Sequence, residues 1–390
     1  MLARKINFRD PVFLNNPYPL YRILQRDEPV SWSDSLQGWL LVRAEDGAVA
    51  GRNPEVGEIP MPPAPIAAYP RMISGWMLHK TGSTHTEARS RVRKPFAGES
   101  LAALGPRIER IVHGILDKFE DQGGMDFSRD FARPLPSLIM AELMGIPPEE
   151  CAKNRRWAEI TFTCLGVAAR DPERMLRIAE KAADDWMKYL ARLFEQRRRE
   201  PREDIISAFA AERNAEEQLL GECTLLFGAG YVTTRFMLGN GLKALFDHPE
   251  QFALLRENSD LLKKAVEEML RYDSSLQCTG HTAITGLELG GQSIKAGDSV
   301  LTFHAAANRD PERYEDPDKF DITRNGPPHV SFGQGPHHCR GAQLFRLEAE
   351  IAYRVLLERF PNVRPAEQRP VRALNSVSFR GFNSLPVRFN

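Results

Sequence analysis

The chain has 390 residues, 42% of them hydrophobic and 27% charged, with 52 basic residues against 52 acidic ones. That length is ample for a large buried interior, and the charge balance argues against nucleic acid or another polyanion as the main ligand. Cys151, Cys164, Cys223, Cys278 and Cys339 are scattered without a disulfide framework, as expected in a reducing compartment. Residues 1–10 hold no apolar run long enough for a signal peptide or a membrane span, so a soluble, cytoplasmic protein is expected. Val30-Ser31-Trp32 and Trp39 to Arg43 read as short strands around a turn at Gly38. The proline-rich run Ile59 to Pro65 reads as an irregular loop, because proline removes amide donors and blocks helix. From about residue 85 to 275 the apolar spacing is helical, with breaks at Pro134-Leu135-Pro136, Gly145 to Pro148 and Pro201. Strand-like pieces follow at Leu287-Glu288-Leu289 and Ser299 to Phe303, with a turn at Ala296-Gly297-Asp298. A helix is predicted over 342–360. The reading is one mainly α unit over 1–390 with a small β portion (α+β), the β-rich stretches lying at about 28–60, 280–304 and 370–390.

Cys339 stands in Phe332-Gly333-Gln334-Gly335-Pro336-His337-His338-Cys339-Arg340-Gly341, between glycine-rich backbone and a helical run. A lone thiolate suits a haem iron, since it pushes electron density onto the metal and favours O–O cleavage. Gly333 and Gly341 let backbone pass close to a flat macrocycle, with amides free to point at sulfur. The dipole of the following helix adds further stabilisation of S⁻. Taken alone, Cys339 reads as a small buried hydrophobe. His337 and His338 are adjacent and converge poorly on one ion, and no second ligand pair follows at zinc spacing. The whole frame is what points to haem.

Phe332 to Gly341 resembles the haem-binding loop of the cytochrome P450 family. Glu268-Met269-Leu270-Arg271 is similar to its Glu-x-x-Arg, and Pro311-Glu312-Arg313-Tyr314 to its Pro-Glu-Arg-Phe segment. Ala229-Gly230-Tyr231-Val232-Thr233-Thr234 resembles its oxygen-binding stretch, and His85-Thr86-Glu87-Ala88-Arg89 its His-x-x-x-Arg. Asn383 to Phe389 matches the bacterial C-terminal pattern. The resemblance implies a haem-thiolate fold with a long central helix over haem b, and Cys339 as axial ligand. It places His85, Arg89, His281 and His329 near the haem propionates, alongside Phe332, although His281 stands where relatives commonly have arginine. It joins Glu268 and Arg271, which share a helix face at i,i+3, to Arg313 in a buried ionic cluster.

The resemblance also gives Ala229 and Gly230 the task of leaving room for dioxygen, and Thr233 a hydroxyl for proton relay. The acid that usually precedes that threonine is replaced by Val232. Three chemistries stay open. One is a monooxygenase acting on a small organic molecule of secondary metabolism. Another is a P450-type enzyme for coupling, dehydrogenation or peroxide-driven oxidation, and the third is a haem-binding sensor. Substrate contacts are implied at Ile73, Trp76 and Met77, at Phe162 to Arg170, and at Phe227 to Thr233. Others are implied at Leu276 to Thr279, with Gln277 and Thr279 as polar members, and at Phe379 to Phe382, with Arg380 between Phe379 and Phe382. With no flavin or nicotinamide domain fused to the chain, electrons are expected from a ferredoxin and its reductase. The basic run Arg89, Arg91, Arg93 and Lys94 offers an acidic ferredoxin its docking patch.

Overall fold

The computed structural model describes residues 2–52, 56–57, 67–165, 172–212 and 215–389. The proline-rich run at 59–65, and the part of the expected substrate region at 166–170, lie outside the described residues.

The architecture is built around the helix Glu216–Asp247, which at 32 residues is about 48 Å long. Its middle is rich in apolar and small residues, most of them buried. It packs against the helices Ala68–Ser74, Pro134–Met144, Cys151–Leu165, Pro172–Arg199 and Leu262–Tyr272. A single apolar cluster runs from Tyr69 through this helix to Phe389. The helix Ala342–Arg359, which follows the cysteine loop, lies against Gly98–Leu116 and Leu262–Tyr272. Pro134 and Pro136 sit in the first turn of Pro134–Met144, where a missing amide costs nothing, so the predicted break falls just before it.

A five-stranded sheet runs in the order Val30–Ser33, Gly38–Leu41, Ser299–Thr302, Thr279–Ala283, Val56–Gly57. Gly38–Leu41 pairs with Ser299–Thr302 in parallel, and the other pairings are antiparallel. The stretch expected to be β-rich from 28 to 60 also contains a helix, Ala44–Arg52. A three-stranded sheet has Pro386–Arg388 at its centre, paired with Arg364–Pro365 on one side and, across more than 250 positions of sequence, with Gly124–Asp126 on the other. Among the described residues no helix is long and apolar enough to cross a membrane.

Candidate haem-thiolate site

Cys339 follows a tight turn built on two left-handed glycines, Gly333 at φ 70° and Gly335 at φ 73°, which only glycine adopts without strain. The turn is closed by the Cys339 amide, which donates to the Phe332 carbonyl at 2.8 Å. The cysteine is exposed at its surface, yet enough protein surrounds it that desolvation pushes its thiol pKa up. The Gly341 amide, Arg89 and Arg346 act in the opposite direction and favour the thiolate.

The loop is anchored from below by a buried polar network. Asn308 donates to Ser331 Oγ at 2.7 Å and to Ser274 Oγ at 2.9 Å, and accepts from the Val330 amide at 2.7 Å. Ser331 Oγ in turn donates to the Leu270 carbonyl at 2.7 Å. Arg346 forks onto Glu267 at 2.6 and 2.9 Å, with its guanidinium over the Phe332 ring. His329 Nε2 lies 3.2 Å from Glu267. Burial raises the Glu267 pKa, but His329 and Arg346 outweigh it and pull the group down to about 2.

Glu268 and Arg271 form the expected buried pair, with two bonds of 2.7 and 2.8 Å and both side chains only 3% exposed. The third member differs from the sequence reading. Arg324, not Arg313, reaches Glu268, at 3.2 Å. Arg324 also donates to the carbonyls of Glu315, Asp316 and Lys319. Arg313 instead points to the Pro328 carbonyl at 2.7 Å and to Tyr314. Arg324 was missed because it lies 56 residues from Glu268 and outside the Pro-Glu-Arg segment.

On the other side of the cysteine loop the structure gathers imidazoles. The rings of His85 and His337 are 4.2 Å apart, and His281, His79 and Arg89 also act on His337. Desolvation, then the surrounding imidazoles and Arg89, bring His337 down to about 4, and desolvation and Arg89 lower His85. His337 was singled out in the sequence only as a weak metal candidate. Arg89 also donates to the His338 carbonyl at 2.8 Å. His85 Nε2 is buried with no hydrogen-bond partner among the described residues. A buried polar atom without a described partner, set among imidazoles and a guanidinium, leaves a place that the carboxylate of a bound group can fill. A macrocycle carrying two carboxylates, with a thiolate on its metal, fits these residues.

In the central helix, Ala229 is exposed and Thr233 half-buried, although most of the helix around them is buried. Thr233 Oγ1 donates to the Ala229 carbonyl at 2.9 Å. Val232 is buried at 4% exposure. At Gly230 an added Cβ would lie 2.5 Å from Met140 Sδ, so the glycine permits close packing of the two helices. Tyr231 and Arg235 turn to Glu159 of the neighbouring helix, which Arg133 also grips at 2.7 and 2.8 Å.

Several expected substrate contacts have no surface to offer in this conformation. Trp76 is fully buried, bonded through Nε1 to Thr224 at 2.8 Å and stacked on Phe162. Phe227 lies edge-on to Trp186 in the core. Gln277 is held by Tyr21 and the Ser274 carbonyl, and Arg380 by Asp273. Phe382 carries the Arg372 guanidinium on its face, and Phe379, like Ile73 and Met77, is buried. Thr279 stays half-buried and bonds His304 Nε2 at 2.9 Å.

The sequence pattern of the family Cytochrome P450 matches residues 56–382. The chain is 33% identical to the Biotin biosynthesis cytochrome P450 of Bacillus subtilis, covering 97% of each protein. It is 34% identical to Cytochrome P450 monooxygenase PikC of Streptomyces venezuelae, over 97% of this chain and 92% of that one. Among solved structures, P450BioI in complex with hexadec-9Z-enoic acid ligated Acyl Carrier Protein superposes with a TM-score of 0.92. Identity there is 33%, with 97% and 99% of the two chains covered.

Proposed function

The chain belongs to the cytochrome P450 family and is a haem-thiolate oxidoreductase, and we propose that it inserts oxygen into a small organic intermediate of secondary metabolism. The observation that carries this reading is an accessible Cys339, framed by the Gly341 amide and faced by cationic side chains. Haem bound through a thiolate supplies dioxygen reduction and O–O cleavage. The chain's own residues do the rest. The Gly341 amide, Arg89 and Arg346 favour negative charge on the Cys339 sulfur, against the desolvation that raises its pKa. His85 and His281, with Arg89, would receive the haem carboxylates. Thr233 keeps its hydroxyl hydrogen on the Ala229 carbonyl at rest, which leaves its oxygen lone pairs open to a proton donor from solvent.

Similarity to PikC and to the biotin-biosynthesis protein supports a biosynthetic intermediate as substrate. A separate ferredoxin and ferredoxin reductase as electron donors, and a cytoplasmic location, complete the proposal. Turnover with isotopically labelled dioxygen tests it: one labelled oxygen atom in the product is expected. Product formed without label would replace insertion by coupling or dehydrogenation. Buried Val232, which can neither ionise nor donate, is the observation that favours this second reading.

A further inference from the structure

Residues 75–80, which follow the helix Ala68–Ser74, are pressed directly onto the central helix. A Cβ on Gly75 would lie 2.7 Å from the Gln218 carbonyl oxygen, and one on Gly221 would strike the Met72 carbonyl, so backbone meets backbone there. Trp76 Nε1 donates to Thr224 Oγ1 at 2.8 Å, and the Met77 amide donates to Glu222 Oε2 at 2.9 Å. The same segment carries His79, whose ring stacks on Trp76 and which acts on His337 of the cysteine loop. This contact therefore ties the central helix to a residue that bears on the haem-thiolate site.

Glu222 is only half satisfied in this contact. It is 2% exposed, its Oε2 takes the Met77 amide, and its Oε1 has no hydrogen-bond partner among the described residues. A buried carboxylate oxygen without a donor has lost its hydration and gained nothing in return, which favours the neutral acid. Burial accordingly raises the Glu222 pKa to about 7, against the pull of Lys80, the Met77 amide and Arg91. Lys80 and Arg91 are the charged groups that act on it, and it acts in turn on buried Cys223 beside it. Arg91 is already engaged by Glu87 and Glu212. Lys80 is half-buried and has no ion-pair partner among the described residues; its Nζ donates to the Gly75 carbonyl at 3.1 Å. Burial lowers the Lys80 pKa, and Glu222 is the leading group that raises it.

We propose that Glu222 and Lys80 form a proton-operated clasp on residues 75–80. With Glu222 neutral, Lys80 ties the turn at Gly75, and the segment lies closed on the central helix. When Glu222 releases its proton to solvent, its bare Oε1 draws the Lys80 ammonium off the Gly75 carbonyl, and the turn loses that tie. Trp76, Met77 and His79 then gain freedom beside the cysteine loop. Glu222 is a positioning residue in this scheme and touches no reacting atom. The clasp belongs to the chain itself; only its bearing on catalysis rests on the haem-thiolate reading.

Infrared difference spectra of the holoenzyme stepped from about pH 5.5 to 8.5, well above the ordinary carboxylate range, read the exchange directly. The wild type is expected to lose one protonated-carboxyl C=O band with a midpoint at about 7. Glu222→Gln, which keeps the side-chain shape, is expected to lack that band. Lys80→Met is expected to move the midpoint up by about one pH unit or more, because the charge that favours the carboxylate is gone. Hydrogen exchange over residues 72–80, corrected for base catalysis, is expected to become several-fold faster across the same step in the wild type and to stay unchanged in Glu222→Gln. A band that the glutamine variant retains, a midpoint indifferent to Lys80, or wild-type exchange that ignores pH would overturn the proposal. The carbon monoxide spectrum of the same samples reports thiolate ligation independently, so failure of the family chemistry is read separately.

Discussion

Thr233 and Glu267 show how single side chains set the behaviour of this site. With its hydroxyl turned to the Ala229 carbonyl and no acid at 232, Thr233 offers its hydroxyl on the accessible stretch of the central helix. Thr233→Ala is expected to divert electrons into hydrogen peroxide, with product per electron falling roughly tenfold or more, the order that a lost proton-transfer group costs. Peroxide and product assays check this, and tight coupling in the variant contradicts the assignment. Val232→Glu is expected to raise coupling if the missing acid limits proton supply; unchanged coupling shows that solvent alone suffices.

Glu267 carries a pH prediction. Its pKa is lowered to about 2 in the folded chain, against about 4.3 when unfolded. A depressed carboxylate contributes stability that is present above the unfolded value and lost as pH falls toward the folded one. The loss therefore falls between about pH 4.3 and 2, tempered by the 43% exposure of the side chain. Glu267→Gln is expected to flatten acid unfolding in that window, and an unchanged acid limb would show that His329 and Arg346 do not hold it.

At the scale of elements, the Glu268–Arg271 pair was legible because i,i+3 spacing on a helix is a local fact, and so was the turn that glycines build before Cys339. Arg324 was not legible, since its approach to Glu268 depends on the course of the chain between them. The buried faces of Trp76 and Phe227 were likewise hidden, because helix rotation and tertiary cover decide which apolar side chains line a cavity. The contrast between the two arginines is testable. Arg324→Ala removes one charge-assisted contact and three carbonyl partners, an expected loss of about 1.5–3 kcal/mol. Arg313→Ala, which gives up a carbonyl bond and a weak one to Tyr314, is expected to cost about 0.5–1.5 kcal/mol. Denaturant unfolding of the holoprotein ranks them, and the reverse order would return Arg313 to the cluster.

Over the whole molecule, formal charge sums to zero, so long-range steering must come from how charge is arranged. Arg91 is engaged by Glu87 and Glu212, which removes it from the basic run expected to meet a ferredoxin. Arg340 takes its place: it donates to the Arg93 carbonyl and lines, with Arg89, Arg93 and His85, a recess of about 340 Å³ beside the cysteine loop. Arg93→Glu is expected to slow electron delivery from an acidic ferredoxin and to weaken its dependence on ionic strength. Stopped-flow reduction at several salt concentrations checks this, and a rate indifferent to both salt and the substitution would remove the partner from this face.

The central claim is that Cys339 ligates haem as a thiolate. Its most direct test is the absorption spectrum of the dithionite-reduced protein with and without carbon monoxide, for the wild type and Cys339→Ser. A strongly red-shifted Soret band in the wild type that vanishes in the variant is the expected result. A band indifferent to Cys339, or no haem band at all, would contradict the account and every site role built on it.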